Sequence, residues 1–330
     1  MIGRLLTYPY GNARSRALAT RLFRPEELAE MAAAGSRKAA IALLDRRLPG
    51  TEPFSTEQRL QLDFLLFGRL ILRTLPEPAA KLLRTYLQRN WVENLQSLCR
   101  IVVGAPPAAT FPEPLPVLDS PPLPEPGAIA NLRDLAARLP AGPYRELLDA
   151  NPPSPGKDYP GSLENGLIHT YWQTVAAAIE RLPAFDRAAA GEILGLRAAI
   201  DALRILQRGI DAGLDAERIL GAWPAPARLL DVERLRRALR SADPATALRN
   251  LLQRAAAGEE VGAGLEMALR RRLYRELRRH LISAPFDISI PLGTLLLKEL
   301  EVMDLQGILG GLRYGLPPDG IKPFLSSLKG

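Results

Sequence analysis

The sequence predicts an all-helical protein, and three observations carry that expectation. Leucine, alanine and arginine are the commonest of the 330 residues, and with glutamate they are good helix formers. Apolar residues recur at spacings of three and four through nearly every segment, with strand-like alternation almost absent. Prolines stand as helix stops, at Pro76, Pro183, Pro224, Pro226, Pro244, Pro285 and Pro291.

Taken in order, residues 12 to 48 read as helical. Pro25 suits a first helical position, with Glu26 and Glu27 in the electropositive first turn and Leu28, Met31 and Ala32 at helical spacing. A short helix from Ser36 to Leu48 stops at Pro49-Gly50. Ser55 and Gln58 form a capping-box pattern ahead of a long amphipathic helix through Leu62, Leu65, Leu66, Leu70 and Arg73 that stops at Pro76. Another helix runs from Pro78 to Val103. Nine prolines then fall within the 22 residues from Ala105 to Pro126, which forbids a regular helix and favours a stiff, extended connector. A second proline-glycine cluster, Asn151 to Gly161, reads as a loop.

The stretch from Ala284 to Leu325 combines a proline stop, a long apolar-periodic helix, a glycine break and a short proline-started helix. That punctuation recurs. At an offset of 102, Leu182 pairs with Ala284, Leu203 with Leu305, Gly213 with Gly315 and Ile219 with Ile321. An earlier copy runs from Leu75 to Gly104 at offsets of 107 and then 108 from the second. The copies share a step near the end of a helix, ENLQSLCR at Glu93, DALRILQR at Asp201 and MDLQGILG at Met303. One leucine-rich match would be expected by chance, whereas four in one register mark a repeat. The chain divides into repeats at 1–104, 127–222 and 223–330, with the connector at 105–126.

Composition narrows function without fixing it. No run of 18 apolar residues exists: the nearest, Leu60 to Leu75, is broken by Asp63, Arg69 and Arg73, so no membrane-spanning helix is expected. The opening MIGRLLTYPYGNARSR lacks a continuous apolar core, which predicts no secretory signal and a cytoplasmic product. One cysteine and two histidines argue against disulfides and an ordinary zinc site. The net charge of +7 favours acidic partners: a protein, a phospholipid surface or a nucleic acid.

Catalytic motifs are weak. Ser154-Pro155-Gly156-Lys157-Asp158 lacks the first glycine of a phosphate loop and the hydroxyl after its lysine. The glycine-rich Gly258 to Gly264 does not follow a strand and reads as a loop between helices. Cys99 beside Leu98 and Ile101 reads as a small buried hydrophobe, and His169 and His280 have no carboxylate nearby in sequence. A helical enzyme would have to work through a residue such as Glu164 or His169. Tyr86, Trp91, Tyr171, Trp172 and Tyr274 fall in long helices and suit packing. The strongest charge feature is RRRLYRELRRH, with Arg270, Arg271, Arg272, Arg275, Arg278 and Arg279 on one helix and Glu276 available for local pairing. It reads either as a solvated face or as a dock for an acidic surface.

The order of YGNARSRALATRLFRPEELAEM from Tyr10, ENLQSLCR, IDALRIL from Ile200, PLGTLLLKELEVMDLQGIL from Pro291 and YGLPPDGI from Tyr314 resembles the C subunit of the bacterial and archaeal V/A-type rotary ATPases, the counterpart of the eukaryotic d subunit. The likeness covers nearly the whole chain. Departures are Ala202 and Asp304, where the family often has asparagine, and Gly310, where the first two steps end in Arg100 and Arg208. The resemblance implies three similar helical lobes in a pseudo-threefold funnel. It implies a non-catalytic rotor subunit without cofactor or metal, joining D/F-type central-shaft subunits to the proteolipid ring on the cytoplasmic face of the membrane and transmitting torque. Whether protons or sodium ions move, and in which direction the machine runs, is left open. The expected partner-contact residues are Arg270, Arg271, Arg275, Arg278 and Arg279 on the basic helix and Leu316, Pro317 and Ile321 at the final turn. The alternative, from another class, is a basic helical scaffold or nucleic-acid-binding protein, although no zinc finger, recognition helix or aromatic-basic RNA motif accompanies the charge.

Overall fold

The computed structural model describes residues 8–48, 54–104, 114–150, 159–211, 213–227, 231–243, 246–248, 250–251, 264–283 and 286–327, with the side chains of residues 159–162 excluded. Fifteen α-helices and no strand occur among the described residues, so the all-α expectation holds. Parts of several expectations fall outside them: residues 105–113 of the connector, the 154–158 motif, most of the 258–264 loop, and the Ala284-Pro285 stop.

The first half is built from α1 (Pro9–Ala19), α2 (Pro25–Ala32), α3 (Arg37–Asp45), α4 (Thr56–Leu72), α5 (Glu77–Leu87) and α6 (Arg89–Val102). The start signals act as the sequence predicts. Pro25 opens α2, the Arg24 amide donates to Glu27 at 2.7 Å, and Ser55 and Gln58 close a reciprocal capping box on α4. The region read as one helix from Pro78 to Val103 is instead two, interrupted at Gln88 (φ −68°, ψ −2°). After a short extended segment come α7 (Leu132–Arg138), α8 (Pro143–Ala150), α9 (Tyr159–Glu180), α10 (Ala184–Asp211), α11 (Ala216–Gly221), α12 (Val232–Leu239), α13 (Leu265–Ile282), α14 (Ser289–Arg313) and α15 (Pro318–Ile321).

Helix α14 is the hub. Every residue from Ser289 to Val302 is buried, because α1, α2, α3, α4, α10 and α13 surround it. Its sequence is apolar on all faces for this reason. Pro291 is not the stop expected of it: it sits in the first turn, where its missing N–H had no helical acceptor to lose. Helix α9 performs a similar role toward α5, α6 and α10, with Tyr171 and Trp172 buried. One continuous apolar core runs from Tyr8 to Leu325.

Two of the long helices end in the same backbone geometry. Helix α10 ends with Gly213 at φ +66° and α14 with Gly315 at φ +71°. The amide of Leu214 returns to the carbonyl of Gly209 at 2.9 Å, and that of Leu316 to Gly311 at 3.0 Å. This left-handed closure favours glycine because any Cβ is strained there. A Cβ on Gly209 would lie 2.6 Å from Ile219, and one on Gly311 would lie 2.7 Å from Ile321. Each isoleucine, from α11 or α15, therefore packs directly on the backbone of the preceding long helix. Gly104 likewise closes α6 at φ +67°.

The described part of the connector is extended and pinned along α4 and α6. Asn94 makes a two-way bridge to the backbone of Leu115, donating to its carbonyl and accepting from its amide, both at 2.8 Å. Asn90 donates to the carbonyl of Pro116 and Trp91 to that of Pro121, at 3.1 and 2.8 Å, and Gln58 reaches Pro114 at 3.0 Å. A chain with so few amide hydrogens cannot join a ladder, so side chains satisfy its carbonyls instead.

Candidate functional site

Arg89, Arg197 and Glu299 stand at the offsets of 108 and 102 that align the leucine steps. The fold brings them together. Arg197 is fully buried and forks onto Glu299, with Nη2 to Oε1 at 2.9 Å and Nε to Oε2 at 3.1 Å. Its Nη1 reaches Asp201, one turn on, at 3.1 Å. Arg89 donates to both oxygens of the same Asp201 at 2.5 and 3.2 Å. The Trp172 indole donates to Asp201 at 3.0 Å, Tyr86 donates to Glu299, and Tyr171 donates to the carbonyl of Tyr86 at 2.9 Å. Two guanidinium groups thus face two carboxylates, with three aromatic rings closing the cluster.

Charge balance and hydrogen bonding make this burial tolerable. Burial alone would raise the Asp201 carboxyl, but Arg197 and Arg89 outweigh it and hold Asp201 well below the usual carboxylate range. Burial would raise Glu299 as well, and Arg197 above all overcomes it, so this carboxyl too is lowered. Both arginines stay charged, because their carboxylates more than offset desolvation.

A second charged cluster lies one residue away on α14. Lys298 sits between Glu301, at 2.5 Å, and Asp63 of α4. Burial would lower its ammonium, yet these carboxylates hold it above its ordinary value. Glu301 also accepts the amide of Phe23 at 2.5 Å, tying α14 to the α1–α2 turn. At the start of α14, Asp186 accepts from Tyr8 at 2.9 Å and from the Ile288 amide at 3.1 Å. Asp304 accepts the amides of Ser326 and Ser327 at 2.8 and 3.2 Å, and burial raises its carboxyl.

Beside the central cluster opens a concavity of about 1590 Å³. The ENLQSLCR step of α6 and the DALRILQR step of α10 form two of its walls, the connector from Pro114 to Pro126 a third, and Leu265 and Glu266 a rim. Arg100 reaches Glu164 at 2.5 Å and Arg208 approaches it at 3.8 Å, so the arginines that end the two steps converge on one carboxylate. Arg204 crosses to Glu266 at 2.8 Å. The third step, on α14, does not line this space: Leu305 and Ile308 are fully buried, and Asp304 is engaged by the tail at Ser326.

The sequence-predicted contact residues fall into separate environments. Arg270 is mostly buried and paired with Glu266, and burial lowers its guanidinium from its ordinary value. Arg271 is half-buried and donates to the carbonyl of Pro323 at 2.8 Å, clamping the tail. Arg275, Arg278 and Arg279 are exposed farther along α13, with Arg279 paired to Glu276 at 2.5 Å. Leu316 and Pro317 are exposed at the final turn, whereas Ile321 is buried against Gly311 and holds that turn from inside. The helix aromatics pack as expected, with Trp172 edge-on to both Tyr86 and Tyr171.

Residues considered for catalysis have other occupations. Burial pushes the Cys99 thiol up to about 12, far from the reactive thiolate range. The two ring nitrogens of His169 meet the carbonyl of Trp223 at 3.0 Å and Gln173 at 2.8 Å. Glu164 is held by Arg100. Among the described residues no group of three histidine, cysteine or acidic side chains could hold a metal ion, and no helix is long and apolar enough to cross a membrane.

The motif search does not single out the buried cluster. Its signal is nevertheless present: the offsets that align the leucine steps also align Arg89, Arg197 and Glu299, and Lys298, Glu299, Glu301 and Asp304 interrupt a largely apolar helix.

Comparison with known proteins agrees with the likeness seen in the motifs. The C subunit of the A-type ATP synthase of Methanocaldococcus jannaschii is 23% identical, the alignment covering 99% of this chain and 88% of that protein. Its namesake from Thermococcus kodakarensis is 24% identical, covering 97% and 91%. A sequence model of the ATP synthase (C/AC39) subunit matches residues 11–324, and the chain therefore belongs to that family of rotary ATPase subunits.

Proposed function

We propose that this chain is the coupling piece of a V/A-type rotary ATPase: a non-catalytic central-stalk subunit that joins the D/F-type shaft to the proteolipid ring and transmits torque for ATP-linked movement of H⁺ or Na⁺. Three similar lobes, 1–104, 127–222 and 223–330, stand around a funnel, and the chain works on the cytoplasmic face of the membrane as a peripheral part of the complex.

The observation that carries this reading is the large concavity walled by two copies of the repeated step and braced by the central ion cluster. A helix about 10 Å across would fill 1590 Å³ over a length of about 20 Å, or roughly four turns. That is a suitable socket for the foot of a helical shaft held by helix-in-groove packing. A torque-bearing part must resist shear between its copies. The Arg89–Asp201–Arg197–Glu299 cluster ties the three copies together at equivalent positions through bidentate, directional bonds. Stiffness follows from these ties together with long packed helices.

The reading predicts that the tagged chain co-purifies with shaft and ring proteins from native membranes in mild detergent. Recovery free of both would contradict it.

A further inference from the structure

The exposed face of α13 near its C-terminus is not used by the socket. Arg275, Arg278, Arg279 and Ile282 follow one another at spacings of three, one and three residues, which places all four on a single helical face. With Tyr274 and Ser283 they line a shallow concavity of about 620 Å³. Arg16 of α1 adds a further charge at the edge, its guanidinium donating to the carbonyls of Leu281 at 3.2 Å and Ser283 at 3.0 Å. Glu276 pairs with Arg279, and Asp304, Glu26 and Glu301 act on Tyr274. Arg16, Arg275, Arg278 and Arg279 thus gather at one end of α13.

In the middle of this basic field Ile282 stands 82% exposed, and Phe286 follows it at 44%. A bulky aliphatic side chain thrust into water beside several arginines is the pattern of an interfacial amphipathic surface. Arginine forks suit phosphodiester oxygens, and the apolar side chains can sink between headgroups to the acyl boundary. A dock for an acidic protein would gain from the arginines but would have less use for an isolated, protruding isoleucine.

We propose that this face of α13 binds the headgroup layer of anionic phospholipids, so that the chain touches the bilayer itself. The inference goes beyond the coupling role and uses it only to place the face near a membrane. Because the test employs the chain and vesicles alone, its failure would leave that role standing.

The experiment is co-sedimentation of the full chain with vesicles of phosphatidylcholine alone and of phosphatidylcholine mixed with phosphatidylglycerol. Binding is expected only with phosphatidylglycerol, and it weakens as salt rises. Arg278→Gln and Arg279→Gln each reduce the partition coefficient about fivefold. Ile282→Ser weakens binding while leaving the salt slope unchanged. These are exposed positions, and unchanged far-ultraviolet circular dichroism confirms that each variant is folded. Equal binding to neutral vesicles, no binding to anionic ones, or variants that bind like the parent would overturn the proposal. So would displacement of the vesicles by soluble polyglutamate together with an Ile282→Ser variant that binds like the parent, which would make the face a dock for an acidic protein.

Discussion

Replacing Glu299 by leucine is the sharpest probe of how α6, α10 and α14 are held together. The substitution removes one carboxylate from a balanced set of two guanidinium groups and two carboxylates, leaving fully buried Arg197 with only Asp201, which Arg89 already shares. Leucine nearly matches glutamate in volume, so the loss is electrostatic rather than a cavity. Breaking a buried pair by removing one partner costs about 3–5 kcal/mol, a large part of the roughly 5–15 kcal/mol that holds a domain folded. For a chain of 330 residues, a loss of about 4 kcal/mol corresponds to a fall in Tm of about 6 °C. The companion Arg197→Met costs a similar amount, but the double variant removes both charges and leaves Arg89 and Asp201 as a neutral pair. Its loss should fall short of the sum by about 2 kcal/mol or more. Urea denaturation of the four proteins at neutral pH measures this cycle. A Glu299→Leu loss below about 1 kcal/mol, or simple additivity in the double variant, would refute the assignment of the cluster as the tie.

Further outcomes follow from other parts of the fold. Asp201, held well below the carboxylate range, contributes stability that is complete above its unfolded value near 3.9 and is lost as pH falls toward the folded one; urea midpoints should drop below about pH 4. Asp304, raised by burial, has the opposite sign, costing stability at neutral pH and returning it as pH falls through the raised value, so Asp304→Asn should steepen the acid loss. Gly315→Ala, at φ +71°, should cost about 1–2 kcal/mol, whereas Gly307→Ala, in an exposed helical position with open space for a Cβ, should gain up to about 1 kcal/mol. Asn94→Ala breaks both bonds to Leu115 and should speed protease cleavage of the connector. Cys99, buried with its thiol pushed up to about 12, should react with an aromatic disulfide reagent only as fast as the chain opens.

Local chemistry made much of the architecture legible. Pro25, the Ser55–Gln58 box and Gly315 are strong because each satisfies or frees a backbone group within one turn, and those rules need no tertiary context. The pairing of Gly213 with Gly315 was readable because the same backbone closure demands the same residue twice. The break at Gln88 carried no such mark: no proline or glycine stands there. Pro291 misled because a proline in a first turn and a proline after a last turn look alike until the neighbouring residues are placed. The arginines of α13 illustrate the same limit. Five similar letters separate into a buried pair at Arg270, a tail clamp at Arg271 and an exposed face at Arg275, Arg278 and Arg279 only when Glu266 and Pro323 are brought beside them. The concavity was harder still, since its walls come from α6, α10, the connector and α13. Lys298 and Glu299 face opposite partners, Asp63 and Arg197, and only the assembled fold reveals that a central helix can hold both charges.

Mechanical coupling is tested most directly by reconstituting the rotary complex into vesicles with and without this chain and following ATP hydrolysis and ion uptake together. Without the chain, hydrolysis by the soluble head should persist while ion uptake collapses, and adding the chain back should restore uptake. Ion uptake that continues at the full ratio to ATP consumed in its absence would contradict the coupling role.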